Sequence, residues 1–329
     1  MSTLAPTLEG YFIERLRAQR NASPQTVAAY RDTWRLLLGF VSKETGKDPS
    51  QFDFSDLSVT RIGAFLQWLE ETRHNTIRTR NARLAAIHAF FRYAAYRHPE
   101  HAALIQHVLA IPAKRFEQRH IDFLTETESA ALLKAVDQKT WVGRRDYALL
   151  MVLLQTGLRV SELTGLTIAD VDLGSSAVVR CSGKGRKQRA TPLTATTVAT
   201  LKAWLTEWRG ADHQWLFPTM RGTRLSTDAV QWLLTKYEQR ARVTCPTLAR
   251  KHLTPHVLRH TCAMNLLRSG VDITVIALWL GHESLQATQI YIHADMAIKE
   301  QAIARTAPLD VKPGRFQPSD TLLAFLESL

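Results

Sequence analysis

Residues 255–291 read PHVLRHTCAMNLLRSGVDITVIALWLGHESLQATQIY, and this stretch decides how the second half of the chain folds. Pro255 favours a helix start, because its fixed φ suits the first helical position and its missing N–H has no intrahelical partner there. Gly270 and Gly281 each follow a helical pattern, and glycine readily takes the left-handed conformation that ends a helix. The stretch therefore predicts two helices, each stopped by a glycine, then a turn and a tyrosine.

The first of these helices carries side chains that suit a phosphate. His256, Arg259 and His260 are spaced so that all three can lie on one helical face. A helix N-terminus with a histidine and an arginine favours anion binding, since its free N–H groups point outward. A zinc site is a poorer interpretation, because HVLRH lacks the glutamate of HExxH and no third ligand is evident. An ordinary core position remains equally open for His260.

The tyrosine at the end of the stretch gains meaning only in combination with other residues. His282 follows the glycine stop, so we expect its ring to be presented rather than buried. Ser284 is a candidate N-cap for the short helix that carries Tyr291. Taken alone, Tyr291 is more typical of a half-buried core tyrosine. A phenol oxygen can attack phosphorus, however, when cations nearby hold the charge that develops.

Two motifs upstream supply such cations. In TGLRVSELTGL, residues 156–166, Arg159 and Glu162 are three apart, so Glu162 is expected to pair with Arg159 or to orient it. In SGKGRKQR, residues 182–189, glycines on both sides leave Lys184 at the tip of a predicted hairpin. Taken singly, a surface ion pair and a solvated basic turn are the ordinary interpretations of these motifs.

The remaining sequence predicts a mainly α protein with a small antiparallel β-sheet. Helices are expected after Ser23, after Ser58 and over residues 76–98, and a capping box of Thr125 and Glu128 opens a second domain. β-Leaning runs flank the GKGR turn. We predict a helical domain at 1–105, a linker at 106–123, an α+β domain at 124–307 and a tail at 308–329.

Composition points to a polyanionic partner inside a reducing compartment. The formal net charge is +12 and the pI is near 9.9, which favours nucleic acid over a membrane surface. The three scattered cysteines argue against a disulfide framework or a structural zinc. The first residues lack the pattern of a signal peptide, and the longest apolar run is too short to span a membrane. We therefore expect a cytoplasmic, nucleoid-associated protein.

Taken together, TGLRVSEL, the GKG hairpin, HVLRH, LGH and the final tyrosine, in this order and spacing, resemble the tyrosine recombinase or integrase family, which includes the Xer-type and phage integrases. SPQTVAAYRDTWRLLLGF and TRNARLAAIHAFFRYA resemble that family's helical, SAM-like core-binding domain. The resemblance covers about residues 10–305. It implies a core-binding domain and an α+β catalytic domain that form a C-shaped clamp on DNA.

The resemblance also implies roles for the site residues. Tyr291 would attack the scissile phosphate and form a 3′-phosphotyrosyl link, with strand exchange proceeding through a Holliday junction. Arg159 and Arg259 would bracket the phosphate, Lys184 would protonate the leaving 5′-oxygen, and His256 would be the acid/base partner of the tyrosine hydroxyl.

Three further residues complete the implied site. His282 would donate a hydrogen bond to a phosphate oxygen, at a position where many relatives have tryptophan, and Glu162 and His260 would support the others. Such a reaction uses no metal, cofactor or ATP, because the covalent intermediate keeps the energy of the phosphodiester bond.

The expected partner is double-stranded DNA with inverted half-sites. The DNA-binding candidates are basic residues in the third helix and around the hairpin: Arg78, Arg80, Arg83, Arg186, Lys187 and Arg189. Residues 319–329 form an amphipathic segment that we expect to bind a neighbouring protomer in a tetramer on DNA.

Two other functions fit part of the pattern. A type IB topoisomerase uses the same nucleophile to relax supercoils, although the helical N-terminal domain argues against it. A DNA-binding regulator without catalysis is the second, and the full set of cations argues against it. Among recombinase functions, chromosome-dimer resolution, phage integration and transposon or cassette movement all remain open, and the long tail favours a mobile element.

Overall fold

The chain divides into two compact units, Met1–Arg119 and His120–Leu329. Both units are mostly helical and the second contains a small antiparallel sheet, so the predicted fold class is confirmed. The structure is a computed structural model, and it describes residues 4–116, 121–182, 188–208, 214–282 and 288–291.

The first unit is entirely helical in its described part. Three short 3₁₀ turns join its helices, at Pro49–Gln51, Phe54–Leu57 and Pro99–His101. The longer elements are α1 Leu4–Gly10, a π-helix Tyr11–Gln19 that continues it, α2 Pro24–Thr45, α3 Val59–Glu71, α4 Ile77–Ala94 and α5 Ala102–Leu109.

Side-chain caps begin three of these helices where the sequence predicts them. Ser23 accepts a hydrogen bond from the backbone N–H of Thr26, and Ser58 and Thr76 cap α3 and α4 in the same way. Each cap satisfies an N–H group that has no partner inside the helix. The predicted starts of α2, α3 and α4 are therefore confirmed.

An aromatic cluster forms the core of the first unit. The ring of Phe90 on α4 lies 4.6 Å from that of Trp34 and 5.6 Å from that of Tyr11, with both pairs edge to face. Helix α5 contributes the buried side chains of Ile105 and Val108 to the same core. The end predicted for the first domain, at residue 105, thus falls inside α5. The helical spacing of apolar residues continues past Pro99, and α5 packs into the same core.

The second unit packs helices beside a three-stranded sheet. Its strands β1 Val171–Asp172, β2 Val178–Ser182 and β3 Gln188–Pro192 are antiparallel in the order β1-β2-β3. Its helices are α6 Glu126–Lys134, α7 Trp141–Thr156, α8 Val160–Thr164, α9 Ala195–Trp208, α10 Thr227–Ala241, α11 Pro255–Arg268 and α12 Ile273–Leu280. Residues 288–291 are also helical, and 3₁₀ turns lie at Ile168–Asp170 and Pro246–Arg250.

Local signals in this unit behave as predicted. Thr125 and Glu128 form the capping box that opens α6, and Pro255 occupies the first turn of α11. Gly270 and Gly281 both have positive φ, at 81° and 65°. β2 and β3 are adjacent antiparallel strands, while the turn at 183–187 lies outside the described residues. Over the described ranges, no helix has the length and apolarity that a membrane crossing needs.

Gly157 ends α7 in a left-handed conformation at a tightly packed point. Its φ is 61°, and a Cβ added there would lie 2.7 Å from Leu280 Cδ2 and 3.2 Å from the Sγ of Cys262. The absence of a side chain thus lets the end of α7 approach both α11 and α12. Gly270 has a similar φ of 81°, but a Cβ there would meet nothing within 4 Å.

We expect Gly157→Ala to destabilise the protein more than Gly270→Ala does. Both variants carry the left-handed penalty of about 1–2 kcal/mol, but only Gly157→Ala adds overpacking of about 1–3 kcal/mol. Urea unfolding of the two variants and the wild type measures the difference. Equal losses of unfolding free energy would contradict the packing account of Gly157.

Candidate active site

Two helix ends meet in the second unit, and one arginine joins them. Helix α7 ends at Gly157 and α12 ends at Gly281, both in the left-handed conformation. The last carbonyls of a helix lack intrahelical donors and carry the negative end of its dipole. Arg259 Nη1 donates to the carbonyl of Gly157 at 2.6 Å, and its Nη2 donates to the carbonyl of Leu280 at 2.6 Å.

The guanidinium of Arg259 remains charged although only 4% of the residue is exposed. Burial, and then the nearby charge of Arg159, lower the pKa of Arg259 to about 10, which still leaves it protonated at neutral pH. A guanidinium has five N–H donors. Two bonds to carbonyls therefore leave N–H groups on Arg259 with which it can hold an anion.

Arg159 is held by the end of α12 and by the carboxylate of Glu162. Its Nη2 donates to the carbonyl of Gly281 at 3.0 Å, and its Nη1 donates to Glu162 Oε1 at 2.9 Å. The backbone N–H of Arg159 also donates to Glu162 Oε2 at 2.8 Å, so Arg159 caps α8 rather than lying within it. The predicted pairing of Arg159 with Glu162 is confirmed.

A third arginine completes this group from the sheet. Arg189 on β3 donates to both oxygens of Glu162, at 3.1 Å from Nη1 and 2.7 Å from Nη2. Burial by itself would raise the pKa of Glu162, but hydrogen bonds from Arg189 and from the Arg159 backbone outweigh it and hold that pKa below its ordinary value. The carboxylate is therefore ionised between two arginines.

The sequence placed Arg189 among the DNA contacts because of its basic neighbours. The structure turns it inward, with 11% of its side chain exposed. A Cβ at Gly281 would lie 2.7 Å from Arg189 Nη1, so the guanidinium packs directly against the end of α12. The alternation of β3 is the signal that predicts this direction, since Arg189 shares a face with the buried Thr191.

Tyr291 lies in the interior with its hydroxyl on a histidine. The residue is 1% exposed and belongs to an apolar cluster with Met264 and Ile276. Its hydroxyl oxygen lies 3.0 Å from Nδ1 of His260, with the two rings edge to face. Burial raises the pKa of Tyr291 to about 12, so the hydroxyl is protonated at neutral pH.

The other two histidines surround this pair. His282 is half-buried, its ring is nearly parallel to that of Tyr291 at 6.3 Å, and its Nδ1 lies 2.7 Å from Thr288 Oγ1. Burial, and then the charge of Arg259, lower the pKa of His282 to about 4. His256 is exposed one turn before His260, and their ring centroids are 6.4 Å apart.

The arginines of α4 differ in their surroundings. Arg78 is exposed and its guanidinium lies 5.6 Å from the ring centre of Phe116. Arg80 is 7% exposed and donates to the carbonyl of Pro112 at 3.2 Å, which ties α4 to the chain after α5. Arg83 is half-buried. Arg78 is thus the most accessible of the three to DNA.

Several predicted positions lie outside the described residues: Lys184, Arg186, Lys187, Ser284 and the tail at 308–329. Two buried thiols lie near the arginines of the site, and burial raises the pKa of Cys181 to about 11 and that of Cys262 to about 12. They therefore stay protonated at neutral pH. Within the part of the chain that the structure describes, no group of three His, Cys, Asp or Glu side chains is arranged to hold a metal ion.

Two solved structures share the fold of this chain. A structure of XerH site-specific recombinase bound to palindromic difH substrate gives a TM-score of 0.67 at 23% identity, covering 87% of this chain and 81% of that chain. A Tn1549 transposon integrase in complex with circular intermediate DNA gives 0.68 at 18% identity, covering 90% and 98%. The fold is that of the tyrosine recombinases.

Sequence relatives assign the chain to a family. Residues 122–297 match the Phage integrase family, and residues 10–98 match the Phage integrase, N-terminal SAM-like domain. A Sinorhizobium fredii protein that carries the name integrase/recombinase y4rC is 52% identical over 100% of this chain and 99% of its own length. Tyrosine recombinase XerC of Pelotomaculum thermopropionicum is 33% identical over 86% of this chain and 92% of its own. The chain belongs to the phage integrase family and is an enzyme of the tyrosine recombinase type.

We expect Glu162→Gln to lower stability in a pH-dependent way. The pKa of Glu162 is depressed in the folded state, so its contribution is fully present above the unfolded value near 4.3 and is lost as pH falls through the folded value. At pH 7 the variant should lose about 3 kcal/mol or more, because two partly buried arginines lose their carboxylate.

Urea unfolding at pH 7, 5 and 3.5 measures this loss. The matched control is Glu126→Gln, because Glu126 is exposed in the first turn of α6. A Glu162→Gln deficit that stays the same at pH 7 and at pH 3.5 would contradict an ionised Glu162 between the arginines.

Proposed function

We propose that this protein is a site-specific recombinase that cuts and rejoins DNA through a covalent 3′-phosphotyrosyl intermediate on Tyr291. One observation carries the proposal: the tyrosine hydroxyl is within electrostatic reach of Arg259 and Arg159, two guanidiniums bound to helix ends. A nucleophile beside preorganised cations suits attack on a phosphodiester. The formal net charge of +12 and the relatives named as integrases and recombinases further support DNA as the substrate.

Arg159 and Arg259 would hold the scissile phosphate. Each already donates to the carbonyls at the end of α12, so neither has to be reorganised when the negative charge on the phosphate oxygens grows. Charge-assisted bonds from a planar guanidinium fix the phosphate in direction as well as in distance. Because both guanidiniums are hydrogen-bonded to helix-end carbonyls, Arg259 at the ends of α7 and α12 and Arg159 at the end of α12, their spacing is fixed by the helices.

Cleavage would then proceed by a direct displacement. The oxygen of Tyr291 bonds to phosphorus, the bond to the 5′-oxygen breaks, and Lys184 supplies a proton to that oxygen. His282, whose Nδ1 lies 2.7 Å from the hydroxyl oxygen of Thr288, would donate a hydrogen bond from Nε2 to a phosphate oxygen. We assign His256, which is exposed in the first turn of α11, to contact with the DNA backbone. The reverse displacement by a 5′-hydroxyl rejoins the strand without ATP.

Strand exchange through a Holliday junction requires several protomers on inverted half-sites. We assign the first unit to DNA binding, with the exposed Arg78 as the leading candidate contact. We assign residues 319–329 to the contact between neighbouring protomers in a tetramer.

We expect Tyr291→Phe to abolish covalent attachment to DNA while leaving binding within about 2-fold of wild type, because only the attacking oxygen is removed. Sheared genomic DNA from the organism that carries the gene is incubated with each protein and denatured, and the DNA linked to protein is sequenced. Tyr96→Phe is the matched control, since Tyr96 is 93% exposed in the first unit.

Each outcome of this experiment decides between functions. Adducts concentrated at one inverted repeat support a site-specific recombinase, whereas adducts spread over all sequences with plasmid relaxation indicate a topoisomerase-like enzyme. Binding without any adduct indicates a DNA-binding regulator. An adduct formed by Tyr291→Phe contradicts the assignment of the nucleophile.

We expect deletion of residues 319–329 to reduce recombination at least about 10-fold, because the deletion removes the apolar segment assigned to protomer contacts. Binding and cleavage of a single half-site serve as the internal control and should persist. Analytical ultracentrifugation of the protein on the DNA site recovered in the adduct experiment measures the assembly of protomers. A strand-exchange assay on the same site measures recombination. Unchanged assembly and exchange would refute the role of the segment.

A further inference from the structure

We propose that His260 is the catalytic residue that takes the proton from Tyr291 during strand cleavage. This inference rests on the proposed phosphotyrosyl chemistry and assigns the proton acceptor within it. It replaces the expectation that His256 has this role, which the sequence favoured because of the family pattern.

The geometry of the pair is that of a nucleophile and its base. Nδ1 of His260 lies 3.0 Å from the oxygen of Tyr291, within the range over which a general base removes a proton. Tyr291 is 1% exposed, so bulk water has little access to that hydroxyl. His260 also follows Arg259 directly on α11, and the helix therefore fixes the base relative to the arginine assigned to the phosphate.

The neighbouring histidines are less well placed for this step. Nδ1 of His282 is engaged with Thr288 at 2.7 Å. His256 is exposed, and its ring centre lies 6.4 Å from that of His260, on the side of the helix N-terminus. Among the described residues of the site, His260 is the histidine whose nitrogen meets the tyrosine oxygen.

Burial and the charged groups nearby keep His260 neutral and therefore able to accept a proton. It is faced by His256 and Arg259 on its own helix, by Asp122 in the segment before α6, by His282 after α12, and by Tyr291. Burial, and then His256 and Arg259, lower the pKa of His260 to about 4, against a smaller opposite effect of Asp122.

Proton transfer is coupled to attack on phosphorus. As the tyrosine oxygen bonds to phosphorus, its O–H bond becomes acidic, and the proton moves to Nδ1 while the electron pair of that bond stays on oxygen. The growing negative charge on the phosphate favours the imidazolium. The bond to the 5′-oxygen breaks, and that oxygen takes a separate proton from Lys184. In rejoining, His260 returns its proton to the tyrosine oxygen.

The decisive variant is His260→Asn. The asparagine side-chain oxygen occupies a position close to that of Nδ1, so it can accept the hydrogen bond but cannot take the proton. The probe is a nicked duplex that contains the DNA site recovered in the covalent-adduct experiment. It is made with either oxygen or sulfur as the 5′ leaving atom. A sulfur leaving group needs no protonation, so it bypasses the leaving-group acid but not the base.

We expect His260→Asn to form the covalent adduct about 10²–10⁴ times more slowly than wild type in single turnover at pH 7, as for loss of a general base. The loss should persist on the sulfur substrate, and the rate of the variant should rise about tenfold per pH unit between 7 and 9 as hydroxide replaces the base. Wild type should show little change over that range, because His260 is already neutral. DNA binding and the melting temperature are measured for each protein.

His252→Asn is the matched control, because His252 is an exposed histidine just before α11. His260→Ala with imidazole added to the buffer is the second variant, and neutral imidazole should restore its rate. A wild-type rate for His260→Asn overturns the inference, since His260 would then only hold the tyrosine in place. Recovery on the sulfur substrate also overturns it, by moving His260 to the leaving-group side. Absence of an adduct with wild type would instead overturn the proposed function.

Discussion

The structure of the candidate site depends on one interaction: the guanidinium of Arg259 donates to two helix-end carbonyls, those of Gly157 and Leu280. The carbonyls gain donors that their own helices cannot supply, and the buried cation gains the negative ends of two helix dipoles. Neither group is stable in the interior without the other. The same contact joins α7, α11 and α12, so that stability and the position of a phosphate-binding cation have a common physical origin.

The charge around this contact explains the state of its neighbours. Three arginines lie near one carboxylate, Glu162, which accepts hydrogen bonds from two of them, Arg159 and Arg189. The excess of positive charge suits a phosphate. Burial, and then nearby charges that include Arg259, lower the pKa of His260 and His282 to about 4, so both rings are neutral at physiological pH. Neutral imidazoles can accept a proton or donate a hydrogen bond, whereas permanently charged ones can only donate.

Much of the architecture follows from short-range signals. Ser23, Thr76 and Pro255 mark helix starts that the structure confirms, because capping depends on a few adjacent residues. Sequence reasoning placed a boundary inside α5 and left the two-residue strand β1 unpredicted, since both are stabilised by packing rather than by a local pattern. The ion pair between Arg159 and Glu162 was also predictable, because the two residues are only three positions apart.

The residue types at the site and their order can be read from the amino-acid sequence: a tyrosine, arginines, histidines and two helix-stopping glycines. The partners of these side chains follow only from the packing of the fold. It turned Arg189 from a basic hairpin inward to Glu162, buried Arg80 against Pro112, and placed the Tyr291 hydroxyl on His260. These contacts join residues 27, 32 and 31 positions apart. Which atoms meet over such separations depends on how helices and strands pack, and no local propensity encodes that.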